Sequence, residues 1–166
     1  MISPAAPVEI ESSEDEALMG AQKILNSVHE MFLPDALEKG LEFKFIPSHH
    51  DTSVDALVLI RILNNLVSNA IKYTPSGKIL MGSQRLQDHL RIGVHDTGIG
   101  MNAQEFETAK GRQVRLKEGL TQAEGEGLGL SIAAQLAEQN GYALYLMENR
   151  KTGTSLYLEI PINTDG

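Results

Sequence analysis

Hydrophobic residues recur every three to four positions along three stretches of the chain, and this spacing predicts three helices. The first runs from about 14 to 32 and ends before Pro34, and the second runs from about 54 to 73. The third begins in a glycine-rich stretch at 125–131 and ends at Gly141. Shorter stretches in which polar and apolar residues alternate predict strands. These strands lie at about 41–46, 79–84, 90–96, 142–147 and 154–160.

Chain length and composition indicate a single globular domain. We expect residues 1–12 to form a tail with a short edge strand and residues 8–162 to form the domain, because 166 residues can bury a sizeable core. No apolar run approaches the roughly 20 residues that span a membrane, and the start of the chain lacks the features of a secretory signal. We therefore expect a cytoplasmic location without direct membrane contact, and the cytoplasmic part of a membrane-bound sensor is an alternative that stays open. The absence of cysteine excludes a disulfide framework and a thiolate metal site.

Charge is unevenly distributed along the chain. Residues 1–55 contain eleven Asp and Glu but three Lys and Arg, which accounts for the net charge of −8. An acidic chain without a basic face argues against nucleic acid as the main partner. A nucleotide remains compatible with this composition, since it needs only a few local cations or backbone N–H groups.

The second predicted helix carries an unusual polar face. Asn65 and Asn69 lie one turn apart on the same arc as Lys72. Asparagine is a poor helix former in mid-helix, which suggests that a function other than helix stability selects it. A carboxamide oxygen suits Mg²⁺ that phosphate oxygens already coordinate, and Lys72 would place a charge near the same phosphates. For this helix alone, a solvated face with two asparagines is an equally good interpretation.

A carboxylate closes the apolar row of the strand at 90–96. Asp96 shares a face with Leu90, Ile92 and Val94, where a carboxylate is costly unless it is paired. The glycine-containing turn that follows would let backbone approach a ligand. Such an Asp could accept a hydrogen bond from the exocyclic amino group of a flat heterocycle such as adenine. Taken alone, an Asp that starts a glycine turn by accepting local N–H bonds is the favoured interpretation.

Residues 101–126 show little periodicity and much glycine, and a loop this long is usually functional or disordered. Its basic residues could belong to a mobile lid over a triphosphate, or to a solvated loop; they include Lys110, Arg112 and Arg115. The glycines that open the third helix would let backbone N–H groups face an anion. In the last strand, Thr154 brings a hydroxyl to the core side.

Four motifs in this order resemble those of sensor histidine kinases. Asn65-Leu-Val-Ser-Asn69-Ala-Ile-Lys72-Tyr73-Thr74 resembles the N box, and Asp96-Thr-Gly98-Ile-Gly100 resembles the G1 box. Gly125-Glu-Gly127-Leu-Gly129-Leu is similar to the G2 box, and Gly153-Thr154 is similar to the last nucleotide-binding motif. The resemblance covers about residues 40–161. The wider GHKL superfamily also includes gyrase B, Hsp90 and MutL.

The resemblance implies the Bergerat fold, an α/β (α+β) two-layer sandwich. In this fold a mixed, mostly antiparallel sheet of about five strands packs on three helices. ATP would lie between the helix layer and a long lid at about 101–126.

The resemblance also implies a site for ATP and Mg²⁺. Asn69 would be the metal ligand, Asn65 would support it, and Lys72 would contact phosphate; these three are the expected catalytic residues. Asp96 would accept a hydrogen bond from the adenine amino group. The further expected cofactor-binding residues are Tyr73, Gly98, Ile99, Gly100, Gly125, Gly127, Leu128, Gly129, Leu130 and Thr154. Expected lid contacts to phosphate are Lys110, Arg112 and Arg115.

The residue at position 65 bears on the reaction. Relatives that hydrolyse ATP or phosphorylate serine have a glutamate there as general base, whereas a neutral imidazole is already a nucleophile. Asn65 therefore favours phosphoryl transfer to histidine. The expected partners are a histidine hairpin domain and a response-regulator receiver domain, and the isolated domain is expected to be monomeric and inactive without its acceptor.

Two departures from the family pattern keep other functions open. The chain lacks a segment like His-Glu-Leu-Arg-Thr-Pro, so the acceptor histidine would lie on a separate domain. It also lacks a phenylalanine-rich F box, with only Phe106 in that region. The alternatives are a nucleotide-sensing interaction module with little transfer activity, and an anti-sigma-type serine kinase or GHKL ATPase.

Overall fold

A five-stranded sheet and a layer of helices form the two layers of the fold. The computed structural model describes residues 18–111, 128–147 and 152–162. The helices are α1 (Ala21–Glu38), α2 (Ala56–Lys72), α3 (Ala103–Lys110) and α4 (Leu128–Gln139). The strands are β1 (Leu18–Gly20), β2 (Glu42–Ile46), β3 (Ser53–Asp55), β4 (Lys78–Arg85), β5 (His89–Asp96), β6 (Ala143–Leu146) and β7 (Thr154–Pro161).

The strand order of the main sheet is β2-β4-β5-β7-β6. β2 and β4 are parallel, and the other neighbours are antiparallel. β1 and β3 form a separate antiparallel pair. The expected two-layer sandwich with a mixed, mostly antiparallel five-stranded sheet is thus confirmed. None of the helices that the structure describes combines the length and apolar character needed to cross a membrane.

The core lies between one face of the sheet and helices α1, α2 and α4. Alternate residues of β5 and β7 point into it, as the period of two in the sequence predicts. On α2 the buried residues recur at helical spacing. The larger buried apolar side chains of β5, β7 and α2 are Leu90, Ile92, Val94, Leu156, Leu158, Ile160, Leu59, Ile62, Leu63, Leu66 and Val67.

The boundaries of α1 differ from those predicted. The helix begins at Ala21 because residues 18–20 pair with β3 instead; residues 14–17 lie outside the described part of the chain. It also continues through the exposed Pro34 to Glu38. A proline costs a helix one backbone hydrogen bond, and burial of Ala36 beyond it helps to offset that cost.

Helix α3 was not predicted, since residues 101–126 were interpreted as lacking regular elements. Its start is a capping box: Asn102 Oδ1 accepts from the Glu105 N–H at 2.8 Å, and Glu105 Oε1 accepts from the Asn102 N–H at 2.9 Å. Phe106 is the one buried residue of this helix. A single buried residue leaves no periodic signal, but the Asn-x-x-Glu spacing was a usable signal for the helix start.

Gly153 lies where β7 meets the end of β5. Its φ is +75°, and a Cβ at this position would overlap the carbonyl oxygen of Asp96. The Asp96 backbone belongs to the sheet and pairs with Thr154. A side chain at position 153 would therefore push on backbone that cannot move independently of the sheet.

We predict that Gly153→Ala lowers the free energy of unfolding by about 2–4 kcal/mol, since it combines strain at positive φ with overlap on the sheet backbone. Gly141→Ala is the matched control: its φ is also +75°, but nothing lies within 4 Å of the added Cβ. It should cost only about 1 kcal/mol. Urea unfolding gives the free energy of unfolding of both variants. An equal loss of stability in the two would contradict the overlap at position 153.

Glu159 of β7 contacts side chains of both neighbouring strands, β5 and β6, near the edge of the sheet. Its Oε2 accepts hydrogen bonds from Arg91 Nε at 3.0 Å and from Tyr145 Oη at 2.7 Å, and lies 2.9 Å from Arg91 Nη2. The Tyr145 hydroxyl, followed by Arg91, holds the pKa of Glu159 below its ordinary value of 4.5, against the opposing effect of burial. The charged form is therefore stabilised by folding.

This lowered pKa predicts a pH-dependent stability. The contribution of Glu159 is fully present above about pH 4.5 and is lost as the pH falls through the lower pKa of the folded state. Glu159→Gln should lower the free energy of unfolding by about 1 kcal/mol at pH 7 and by less at pH 3. Chemical unfolding at the two pH values measures this, with the exposed Glu30→Gln as control. A cost that does not change with pH would contradict the assignment.

Candidate functional site

A cavity of about 400 Å³ opens between α2, α3 and the adjoining ends of β5 and β7. Leu66, Ala70, Val94 and Leu156 give it an apolar wall. Polar side chains line much of the rest of the cavity, among them Asn69, Asp96 and Thr154. An apolar cleft with a few convergent polar groups is the usual form of a small-molecule site.

Asp96 lies in the wall of this cavity and is 8% exposed. Its Oδ1 accepts from the backbone N–H of Gly98 at 2.9 Å and of Thr154 at 3.1 Å. Two backbone donors offset much of the cost of burying a carboxylate. Asp96 therefore starts the glycine turn, as the simpler interpretation proposed, and also presents its carboxyl group to the cavity.

The turn after Asp96 packs on the end of α2. The N–H of Ile99 donates to the carbonyl oxygen of Tyr73 at 3.3 Å. A Cβ on Gly98 would overlap that oxygen and lie 2.9 Å from Oγ1 of Thr74. The structural requirement for glycine at position 98 thus comes from close packing against α2, whereas the sequence had suggested close approach to a ligand.

The two asparagines of α2 have different environments. Asn69 lines the cavity and is half-buried. Asn65 does not line it, since its Nδ2 donates to the carbonyl oxygen of Arg61 at 2.8 Å, along its own helix. A Cβ on Gly129 would lie 3.3 Å from the Asn65 carbonyl oxygen and 3.4 Å from its Oδ1. Asn65 thus lies at the contact between α2 and the first turn of α4.

The described lysines near the cavity do not line it. Lys72 is exposed, and its Nζ lies 5.3 Å from the centre of the Tyr73 ring. Lys110 Nζ lies 3.1 Å from Glu107 Oε2 and 4.5 Å from the centre of the Phe106 ring. Lys110 lines a different groove, between α3 and α4.

The cavity brings together six of the residues predicted for the site: Asn69, Tyr73, Asp96, Ile99, Gly100 and Thr154. Gly98 and Gly129 pack beside it, and Leu130 is buried in the core. Arg112, Arg115, Gly125 and Gly127 lie outside the described residues, as does the side chain of Leu128.

The sequence placed a lid at about 101–126 over the site, but it did not identify the side chains that α3 and its approach contribute to the cavity wall. The additional lining residues there are Met101, Asn102, Gln104, Glu105, Thr108 and Ala109. Without a helix assigned to this segment, nothing in the sequence indicated which side chains would face the cavity. Most of the wall opposite Asp96 could therefore be identified only from the structure.

The arrangement suits a flat, mostly apolar ring that carries an exocyclic amino group. Such a ring could lie between the apolar residues of α2 and β7 while its amino group meets Asp96. Asn69 could then present a carboxamide oxygen to a cation or to a polar extension of the same molecule.

Comparison with known proteins matches residues 54–164 to the model of a protein family described as histidine kinase-, DNA gyrase B- and HSP90-like ATPases. The autoinducer 2 sensor kinase/phosphatase LuxQ of Vibrio vulnificus is 33% identical over 149 residues. The aerobic respiration control sensor protein ArcB of Escherichia coli is 32% identical over 131 residues. These matches cover 83% and 75% of this chain, but 17% of each relative.

Solved structures agree with this assignment. Full-length ShkA in complex with AMPPNP is similar with a TM-score of 0.69 and 29% identity, covering 87% of this chain and 31% of that one. The catalytic domain of the histidine kinase ThkA, in a nucleotide-free form, has the same fold with a TM-score of 0.71 and 23% identity. That match covers 87% of this chain and 95% of the ThkA domain. The chain therefore belongs to the family of histidine kinase-, DNA gyrase B- and HSP90-like ATPases.

Proposed function

We propose that this chain is the ATP-binding catalytic domain of a sensor histidine kinase, hybrid kinases included. It binds Mg-ATP and donates the γ-phosphoryl group to a histidine on a separate domain. The observation that carries the proposal is the buried carboxylate of Asp96, which two backbone N–H groups hold in the wall of an apolar cavity.

Asp96 supports adenine as the bound ring. A carboxylate accepts from the adenine 6-amino group, whereas a guanine bound in the same orientation would present its 6-oxo acceptor at that position. Tyr73 and Ile99 lie at the same end of the cavity and can cover the ring.

Asn69 supports the position of the phosphates. Asn69 lies on α2, one turn before Tyr73, and its side chain is half-buried in the cavity wall. Its carboxamide oxygen fits the oxygen-donor preference of Mg²⁺. When bound, Mg²⁺ neutralises phosphate charge. The protein residues then have to orient the nucleotide in line with the acceptor, which is the main requirement of phosphoryl transfer.

Asn65 supports histidine as the acceptor. An imidazole nitrogen attacks the γ-phosphorus, the bond to the bridging oxygen breaks, and ADP leaves with the electron pair. This step needs no base at position 65, and a carboxamide cannot act as one. The proposed partners are a histidine hairpin domain of the same kinase and, further along, a receiver domain. We propose a cytoplasmic domain that is monomeric on its own.

A second function, a nucleotide-sensing interaction module, is favoured by the position of Lys110. Its ammonium group contacts Glu107 and Phe106 and faces the groove away from the cavity. A domain that brings no basic side chain to the phosphates would bind nucleotide but transfer little. Anti-sigma-type serine phosphorylation or free ATP hydrolysis is disfavoured by Asn65.

We predict that Asp96→Asn weakens binding of AMPPNP with Mg²⁺ by at least about a hundredfold in calorimetric titration. Asn can still accept the two backbone N–H bonds at Oδ1, so the turn can persist, but its amino group faces the adenine amino group. Asp88→Asn, on the exposed hairpin turn, should bind as the wild type does. Unchanged affinity of the Asp96 variant would exclude this cavity as the adenine site.

With radiolabelled ATP and Mg²⁺, the wild type should phosphorylate the isolated histidine hairpin domain of its kinase. The product should be acid-labile and alkali-stable, as a phosphohistidine is. Asn69→Ala should reduce the rate at least about a hundredfold, whereas Ser68→Ala, an exposed change on the same helix, should leave it unchanged. ATP binding without any transfer by the wild type would favour the interaction module.

A further inference from the structure

The end of α1 fixes the position of Lys39. Gly40 has a φ of +82°. Its N–H donates to the carbonyl oxygen of Leu37 at 2.9 Å, and the N–H of Leu41 donates to that of Ala36 at 2.8 Å. Ala36 and Leu41 are both buried. These are the bonds and the apolar contact of a Schellman motif. Lys39 is the C-cap of this motif, so its backbone is held between a helix and a buried residue.

Lys39 extends from this fixed backbone to the C-terminus of a different helix. Its Nζ donates to the carbonyl oxygen of Ile71 at 2.6 Å and to that of Lys72 at 3.0 Å. These carbonyls belong to the last turn of α2, where helix geometry leaves oxygens without intrahelical partners. The ammonium group also lies at the negative end of the α2 dipole, which is the favourable position for a cation.

The same turn of α2 supports the cavity. Tyr73 follows Lys72 directly and lines the cavity, and its carbonyl oxygen accepts from the N–H of Ile99. Thr74 is fully buried. Its N–H donates at 3.4 Å to the carbonyl oxygen of Ile71, which also accepts from Lys39. One turn of chain thus contacts Lys39 on one side and the loop after Asp96 on the other.

We propose that Lys39 is a positioning residue for nucleotide binding. By holding the last turn of α2 against α1, it fixes the carbonyl of Tyr73 and, through Ile99, the loop that follows Asp96. Lys39 does not line the cavity, so it acts only through this turn. The inference rests on the proposed ATP-binding function.

The test compares Lys39→Met, which keeps a long stem without the ammonium group, with Lys39→Arg, which restores the donors. Lys44→Met is the control, since Lys44 is an exposed residue of β2 that pairs with Glu42 at 3.0 Å. The affinity for AMPPNP with Mg²⁺ is measured by calorimetry at a temperature at which all variants are folded. Amide NMR shifts of Thr74 and Ile99 are measured without nucleotide.

We expect Lys39→Met to bind about fivefold more weakly and to shift both amide signals. Lys39→Arg should stay within about twofold of the wild type, and Lys44→Met should match it. A Lys39→Met variant that is less stable but binds as the wild type does, with an unshifted Ile99 amide, would reduce Lys39 to a stabilising cap and overturn the inference. No binding by the wild type would instead overturn the proposed function and the inference with it.

Discussion

The buried carboxylate of Asp96 is the constraint on which the rest of the site depends. A carboxylate at the end of an apolar strand is costly unless donors surround it, and two of its donors come from separate segments, Gly98 and Thr154. The bond from Gly98 is local to the turn, whereas the bond from Thr154 forms only if β5 and β7 pair in the observed register. In that register Gly153 lies so close to the Asp96 carbonyl oxygen that a Cβ at position 153 would overlap it. Sheet pairing and cavity chemistry are thus parts of one arrangement.

Helix α2 connects this arrangement to the helical layer. Its apolar face packs in the core. Its last turn contacts α1 through Lys39 and the loop after β5 through the Tyr73 carbonyl. The Tyr73 side chain lines the cavity. Asn69 lies one turn earlier on the same helix. The end of this helix is therefore the place where α1, the loop after β5 and the cavity meet.

Binding and transfer place different demands on these residues. In the proposed function, adenine recognition needs one fixed acceptor and an apolar slot, and both lie where β5, β7 and α2 meet. The phosphates need cations, and in the described residues Lys72 and Lys110 lie outside the cavity wall. Asn65 donates its amide N–H to the Arg61 carbonyl oxygen along its own helix and lies next to Gly129 of α4.

The sequence by itself determined most of the elements, because apolar periodicity reports directly which face of a helix or strand is buried. It also predicted that Asp96 and Thr154 would lie on core-facing sides of their strands. The pairing of these two residues is a long-range contact, so only the tertiary structure decided it. Helix α3 was missed because its short, polar sequence has one buried residue, Phe106, and is held by packing against α4. The contact of Lys39 with α2 could not be predicted from the sequence either. The carbonyls that it binds are backbone groups present in any sequence, and only the packing of α1 on α2 brings them close to Lys39.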